Sequence, residues 1–328
     1  MLTLNTERSG TENLGYRRMF APGQLTLGVF FPIEAFSGDR PTMAAQERLA
    51  GLAEEAGFAA LWFRDVPLRD PDFGDVGQIF DPWVYLGYIA AQTTRIALAT
   101  GAVILPLRHP LHTAKAAASI DQLSRGRLVL GVSSGDRPLE FPAFATPFES
   151  RGELFREALQ VMRAALSSER PFINTQTTML DGRADLVPKP VSASIPVLIT
   201  GHSRQELDWI ARHGDGWLMY PRPPELQQLV IRQWHDKLAE AGRSRSFAPF
   251  AQSLYIDLDV DRDAVPVPIH LGYRLGRNYL LALLEQLRAV GVNHVALNLK
   301  YGSRPAAAVM EELATYVLPH FPPPVLRA

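Results

Sequence analysis

From residue 25 onward the chain repeats one pattern. A short, nearly continuous apolar run is followed by a longer stretch in which apolar residues recur every three or four positions. The runs lie at 25–33, 59–63, 96–104, 127–133, 197–200, 216–220, 252–258 and 294–299, and are rich in β-branched and aromatic residues. Continuous apolar character is what strands of a parallel sheet show when both faces are covered. The longer stretches, 42–57, 81–92, 109–126, 149–166, 203–213, 223–241, 276–290 and 305–318, read as helices. In the first, Met43, Leu49, Leu52, Ala53 and Ala56 form one stripe and Gly57 supplies a stop. In the third, Pro110 suits a first turn and Gly126 lies past the end.

Eight alternating units predict an α/β fold, a (β/α)8 TIM barrel, with a doubly wound open sheet as the alternative. Residues 1–24 read as a polar N-terminal arm and 25–328 as a single barrel domain. The stretch 137–195, between strands four and five, is too long for one crossover. It reads as an insertion on the active face, a lid with a hairpin turn at Asp181-Gly182.

Composition narrows the chemistry. With no cysteine in 328 residues, disulfides, thiolate nucleophiles and zinc–thiolate sites are excluded. A net charge of −1 offers no footprint for nucleic acid and no polybasic membrane patch. No run of about 18 apolar residues and no signal-peptide core is present, so a cytoplasmic protein is expected.

The segment "LVLGVSSGD" spells Gly-x-Ser-x-Gly through Gly131, Ser133 and Gly135, the pattern of a serine-hydrolase elbow. An elbow needs a helix directly after the serine. Pro138 and Pro142 would fall inside that helix, at about 3 kcal/mol each. Ser133, Ser134 and Gly135 read instead as small polar residues at the carboxyl end of strand four, where barrel active sites are built. After strand five, "ITGHSRQE" offers Gly201 for the turn out of the strand. Ser203 and Glu206 are expected to form a capping box at a helix N-terminus suited to phosphate. His202 could donate to an anion, or serve structure alone.

Other residues carry less. His109 and His112 are spaced for one metal, but no third ligand is evident, and no metal is expected. Asp65, at the end of strand two, is a candidate general base, or else the partner of Arg64 or Arg69. Arg17 and Arg18 are expected to be solvated.

Several stretches together resemble the bacterial luciferase-like flavin oxidoreductases: "LTLGVFFP", "EEAGFAALWF", residues 94–136, "PKPVSASIPVLITGHS" and "ARHGDGW". The resemblance covers about residues 25–320. It implies a (β/α)8 barrel holding reduced FMN, or the deazaflavin F420, at the carboxyl ends of the strands. It implies that Thr100, Gly101 and Ala102 run beside the flavin ring, often through a non-proline cis peptide. Ser133, Ser134, Gly135, Gly201, His202 and Ser203 are then the phosphate and ribityl contacts. The chain departs from luciferases proper at Asp65-Val66, where they carry Glu-His, and at Ser134, where they carry arginine. The expected function is a monooxygenase that takes reduced FMN from a separate reductase and, with oxygen, oxidises an organic small molecule. Alternatives are an F420-dependent dehydrogenase, which added arginines such as Arg108 and Arg137 would favour, and a non-catalytic flavin-binding protein. The resemblance also implies a homodimer packed through barrel helices.

Overall fold

The computed structural model describes residues 13–325. Eight strands close into a barrel: β1 (Thr26–Phe30), β2 (Ala60–Phe63), β3 (Ala97–Thr100), β4 (Leu128–Ser133), β5 (Val197–Thr200), β6 (Gly216–Met219), β7 (Phe250–Leu258) and β8 (His294–Asn298). Every neighbouring pair is parallel, and β8 pairs with β1 to complete the ring. The helices that follow them are α1 (Gln46–Ala56), α2 (Pro82–Gln92), α3 (Pro110–Leu123), α4 (Arg151–Ser167), α5 (Leu207–His213), α6 (Pro224–Glu240), α7 (Arg277–Ala289) and α8 (Ala306–Tyr316). This is the expected (β/α)8 architecture. Helix α1 starts later than its apolar stripe suggests, because Met43 and Ala45 adopt left-handed backbone angles.

Alternation along each strand sorts the core into two layers. Leu27, Val29, Leu61, Phe63, Leu98, Leu130 and Ile199 face the helices. Ala60, Ala97, Ala99, Ala251 and Ala296 face inward and leave room for Phe30 and Trp62. Gly28 is part of the same arrangement: a Cβ there would lie 2.6 Å from His294 Nε2 and 2.8 Å from Trp62 Nε1.

The polar-arm reading fails for its described part. Leu14–Met19 is a helix that plugs the base of the barrel, burying Tyr16, Met19 and Phe20. Asn13 caps it by accepting from the Tyr16 N–H at 2.9 Å, and its amide donates to the Leu128 carbonyl at 3.1 Å. Arg18 is likewise not simply solvated, since it donates to the Phe58 carbonyl at 3.2 Å. Residues 1–12 of the predicted arm lie outside the described residues. Above the plug, Trp62 Nε1–H donates to His294 Nε2 at 2.9 Å. Indole is only a donor, so Nε2 is the acceptor and the ring proton sits on Nδ1. Nδ1 then donates to Thr26 Oγ1 at 2.7 Å, and Thr26 donates to the Met19 carbonyl at 2.6 Å. Burial holds this imidazole neutral, with its pKa pulled down to about 3.

The insertion also needs correction. Residues 134–150, with a short helix at Glu140–Ala143, stand at the mouth, the carboxyl end of the strands. Helix α4 then carries the chain back, so 168–195 packs at the opposite end. There Lys189 donates to the Ala165 and Ser168 carbonyls at 2.9 and 2.7 Å, and the Val191 N–H to Asp121 at 2.8 Å. This segment holds a hairpin, Phe172–Asn174 with Met179–Asp181, whose turn is at 175–178 and not at Asp181-Gly182. It cannot cover the mouth. A second excursion, 259–276, does rise there: its strand Gly272–Leu275 pairs in parallel with the end of β7.

Candidate active site

The mouth has an aromatic floor. Phe30 and Trp62 end β1 and β2, with ring centroids 5.7 Å apart. Beside them Gly101 and Ala102 are joined by a cis peptide. A Cβ on Gly101 would lie 2.9 Å from the Phe30 ring and 3.1 Å from the Trp62 ring, so bare backbone is what fits there. Thr100 itself is turned to structure: its hydroxyl donates to the Gly131 carbonyl at 2.8 Å and accepts from the Gly131 N–H at 3.0 Å. Gly131 admits no side chain, since a Cβ would stand 1.9 Å from the Thr100 carbonyl oxygen.

Ser133, Ser134 and Gly135 lie where β4 opens into the mouth loop, and Ile104 pairs with Ser133. Gly135 has φ +82, and Ile104 and Phe141 fill the place of a side chain. No helix begins after Ser133: the four-residue turn at Glu140–Ala143 is the first, and it contains Pro142. The hydrolase elbow is not built.

At the end of β5, Gly201 takes φ +56, as the turn out of a strand requires. The capping box does not form. Ser203 and Arg204 adopt left-handed angles, which insert a tight turn before α5. Ser203 Oγ donates back to the Thr200 carbonyl at 2.8 Å, and Glu206 caps the helix without a side-chain bond. The turn has a consequence for ligands. Among the described residues, the N–H groups of His202, Ser203 and Arg204 have no protein acceptor, whereas Gly201 and Gln205 on either side are bonded. Consecutive free N–H groups in such a turn make an anion-binding concavity. Two buried side-chain atoms without partners among the described residues stand on the same side of the barrel: Thr200 Oγ1 and Arg151 Nε. An isoalloxazine on the floor with its phosphate on this turn matches the donors present, so the residues fit a flavin.

Asp65 is not placed as a free base. Its carboxylate accepts from Arg108 at 3.0 and 2.8 Å and from the Ile104 N–H at 3.0 Å. Its partner is Arg108, not Arg64 or Arg69, and it ties the loop after β2 to the loop after β3. His109 Nδ1 accepts from the Leu111 N–H at 3.3 Å as the N-cap of α3.

The sequence reading missed a charged cluster across the mouth. Arg64 pairs with Asp75, with one contact at 3.0 Å, and the Tyr255 hydroxyl donates to the same carboxylate at 3.3 Å. Burial raises the Asp75 carboxyl, but Arg64 and then Lys300 offset this and hold it below its ordinary value. Arg137 stacks 4.3 Å from the Phe73 ring centroid and donates to the Val76 carbonyl at 3.2 Å. Glu140 is fully buried, and its carboxylate oxygens have no hydrogen-bond partner among the described residues. Burial pushes that carboxyl up to about 7, against the pull of Arg137. These residues come from separate loops, so no local pattern joins them. The signal available was a charged residue directly after an apolar run, as in "LWFR" and "LNLK".

Comparison with known proteins agrees with this geometry. The sequence pattern of the luciferase-like monooxygenases matches residues 25–273. An uncharacterised protein of Mycobacterium tuberculosis is 36% identical over 225 residues, 63% of this chain and 78% of its own. Among solved structures, the monooxygenase RslO1 from Streptomyces bottropensis superposes with a TM-score of 0.75 at 22% identity, covering 90% of this chain and 99% of its own. An F420-dependent secondary alcohol dehydrogenase gives 0.74 at 19%, covering 91% and 99%. With the family pattern spanning most of a barrel of the same architecture, the chain belongs to the luciferase-like monooxygenase family.

Proposed function

We propose that this chain is a flavin-dependent monooxygenase that takes reduced FMN from a separate reductase and uses oxygen to oxidise an organic small molecule. The observation that carries the reading is the mouth: bare backbone at Gly101–Ala102 beside the Phe30–Trp62 floor, and free N–H groups at 202–204. The flavin supplies the electrons and the oxygen chemistry. Gly101 and Ala102 would hold the ring, and the N–H groups of 202–204, with Thr200 and Arg151, would receive the phosphate. The 134–150 and 259–276 loops limit water at the mouth. Asp65 keeps the β2 and β3 loops in register and takes no proton in this account.

F420 is the second reading, favoured by the deazaflavin enzyme that shares the fold. Against it, Arg108 is committed to Asp65 and Asp81, and Arg137 to Val76 and Phe73. Arg108 is thus not free for an anionic tail, and Arg137 keeps a single buried nitrogen, Nη1, unbonded among the described residues. Paired anaerobic titrations test the choice. Saturable binding of reduced FMN with little binding of reduced F420 is expected, and the reverse would move the function to hydride transfer. Binding of FMN without oxygen uptake across a substrate panel would point to a non-catalytic flavin carrier.

We further propose a homodimer through α2. This helix has no charged residue, and it exposes Val84 and Tyr88 while its other face is buried. Tyr88→Glu is expected to give monomers in sedimentation.

A further inference from the structure

A second cavity opens at the mouth, with a volume of about 860 Å3. It lies between the loop after β1, including Phe36 and Gly38, and the loop after β8, including Lys300, Tyr301 and Arg304. That is ample room for a small organic ligand. The Arg64–Asp75 pair connects it to the flavin-type floor: Arg64 stands 6.0 Å from the Phe30 ring centroid, and Lys300 donates to the Gly74 carbonyl, next to Asp75, at 2.8 Å.

Lys300 is the unusual group. It is 2% exposed yet lines the cavity. An ammonium has three N–H donors. Only the Gly74 carbonyl accepts from it among the described residues. The acids nearby, Asp75 and Asp39, act on it through space but accept their hydrogen bonds elsewhere. Asp75 is bound to Arg64 and Tyr255, Asp39 to Arg69 at 2.6 and 3.1 Å, and Glu34 to the Thr42 N–H and hydroxyl. Arg304, at the rim, is held by Glu312. Buried charge is ordinarily paired, because desolvation is costly otherwise. Around the ammonium are the faces of Phe36 and Tyr301, each centroid 5.2 Å from Nζ. Helix α8 also begins at this cavity, and its N-cap, Pro305, supplies no side-chain bond to the first turn. The positive end of the helix therefore adds to the field.

We propose that this cavity takes the organic substrate, and that it selects an aromatic carboxylate: the carboxylate on Lys300, the flat body against Phe36 and Tyr301. Calling the ligand the substrate rests on the flavin reading above. The binding itself does not.

The test is calorimetric, on the full chain without cofactor, using naphthoate and its uncharged isostere naphthamide. Wild type is expected to prefer naphthoate by about ten- to a hundredfold, the range for one charge-assisted hydrogen bond. Lys300→Met should bring naphthoate down to the level of naphthamide, and Phe36→Ala should weaken both. Should Lys300→Met not fold, Gly38→Asp adds a negative charge at the rim, where φ is +68 and no atom lies within 4 Å. It should weaken naphthoate and spare naphthamide. Equal binding of the two probes by wild type, binding of neither at millimolar concentration, or indifference of naphthoate to these charge changes would overturn the proposal. Reduced FMN titrated into the same proteins separates the two readings. FMN should bind wild type and Lys300→Met alike. Naphthoate binding intact in a protein that ignores FMN would sink the flavin reading and leave this one.

Discussion

The two ends of this barrel treat polar groups in opposite ways. Beneath the floor, from the Trp62 N–H down through His294 and Thr26 to Met19 at the base, a closed chain runs in which each donor has an acceptor. At the mouth, Thr200, Arg137, Glu140 and Arg151 supply five of the seven buried side-chain atoms without a partner among the described residues, against one, Arg18 Nε, in the plug helix. Buried polar groups cost free energy unless they are bonded. The base has no use for a ligand, and the mouth has donors to offer one. One sheet thus serves as a stable frame at its amino ends and as a receptor at its carboxyl ends.

Substitutions can break this contrast, starting with the base. His294→Leu leaves the Trp62 N–H without its acceptor, while the Thr26 hydroxyl loses one donor and keeps its bond to the Met19 carbonyl. It should cost about 1–3 kcal/mol in chemical denaturation, the penalty for one orphaned buried group. The histidine also sets an acid limit. Its folded pKa of about 3 lies below the ordinary 6.5, so below about 6.5 the unfolded chain takes up a proton that the fold refuses. This contribution to stability should fall as pH drops from 6.5 toward 3, and the fall should be absent in His294→Leu.

Glu140, at the mouth, should show the opposite sign. Its folded pKa of about 7 lies above the ordinary 4.5, so the fold holds a proton that the unfolded chain releases, and stability declines as pH rises across that interval. Glu140→Gln should remove the decline and stabilise the protein above pH 7 by up to about 3 kcal/mol, at 1.36 kcal/mol per unit. Thermal melts across that range would reveal it. A melting profile identical to wild type would mean that Glu140 has a partner in solution.

Gly201→Ala comes next. At φ +56 a Cβ costs about 1–2 kcal/mol. If the turn relaxes to avoid that cost, the backbone that leaves the N–H groups of 202–204 unbonded is altered. A weaker flavin titration, beyond the loss in stability, is therefore expected. Ser133→Ala should matter least, within about 0.5 kcal/mol, as for substitutions that break no bonded network.

The strands were legible because a parallel strand covered on both faces must be apolar throughout, and the eight runs mark them well. The plug helix was not. Six residues including Arg17 and Arg18 give no apolar stripe, and what buries them is the open base of a barrel formed by residues far along the chain. The hairpin at 172–181 was legible as an insertion, but its place was not, since only the direction of α4 decides which end receives it. The glycines of the mouth stood out by their position at strand ends. Asp65 misled because its partner, Arg108, lies 43 residues away. Lys300 went unnoticed because nothing in its neighbours says that the loops after β1 and β8 form a cavity around it.

The central claim is that ligand chemistry belongs to the mouth and that the ligand held there is a flavin. Hydrogen exchange read by mass spectrometry, with and without saturating reduced FMN under anaerobic conditions, tests both parts at once. The account predicts slowed exchange in segments containing Ala102–Ile104, Ser134–Asp136 and His202–Arg204, with little change at Thr26–Gly28 and Asn293–Val295. Uniform exchange with and without FMN, or slowing confined to the base, would contradict it.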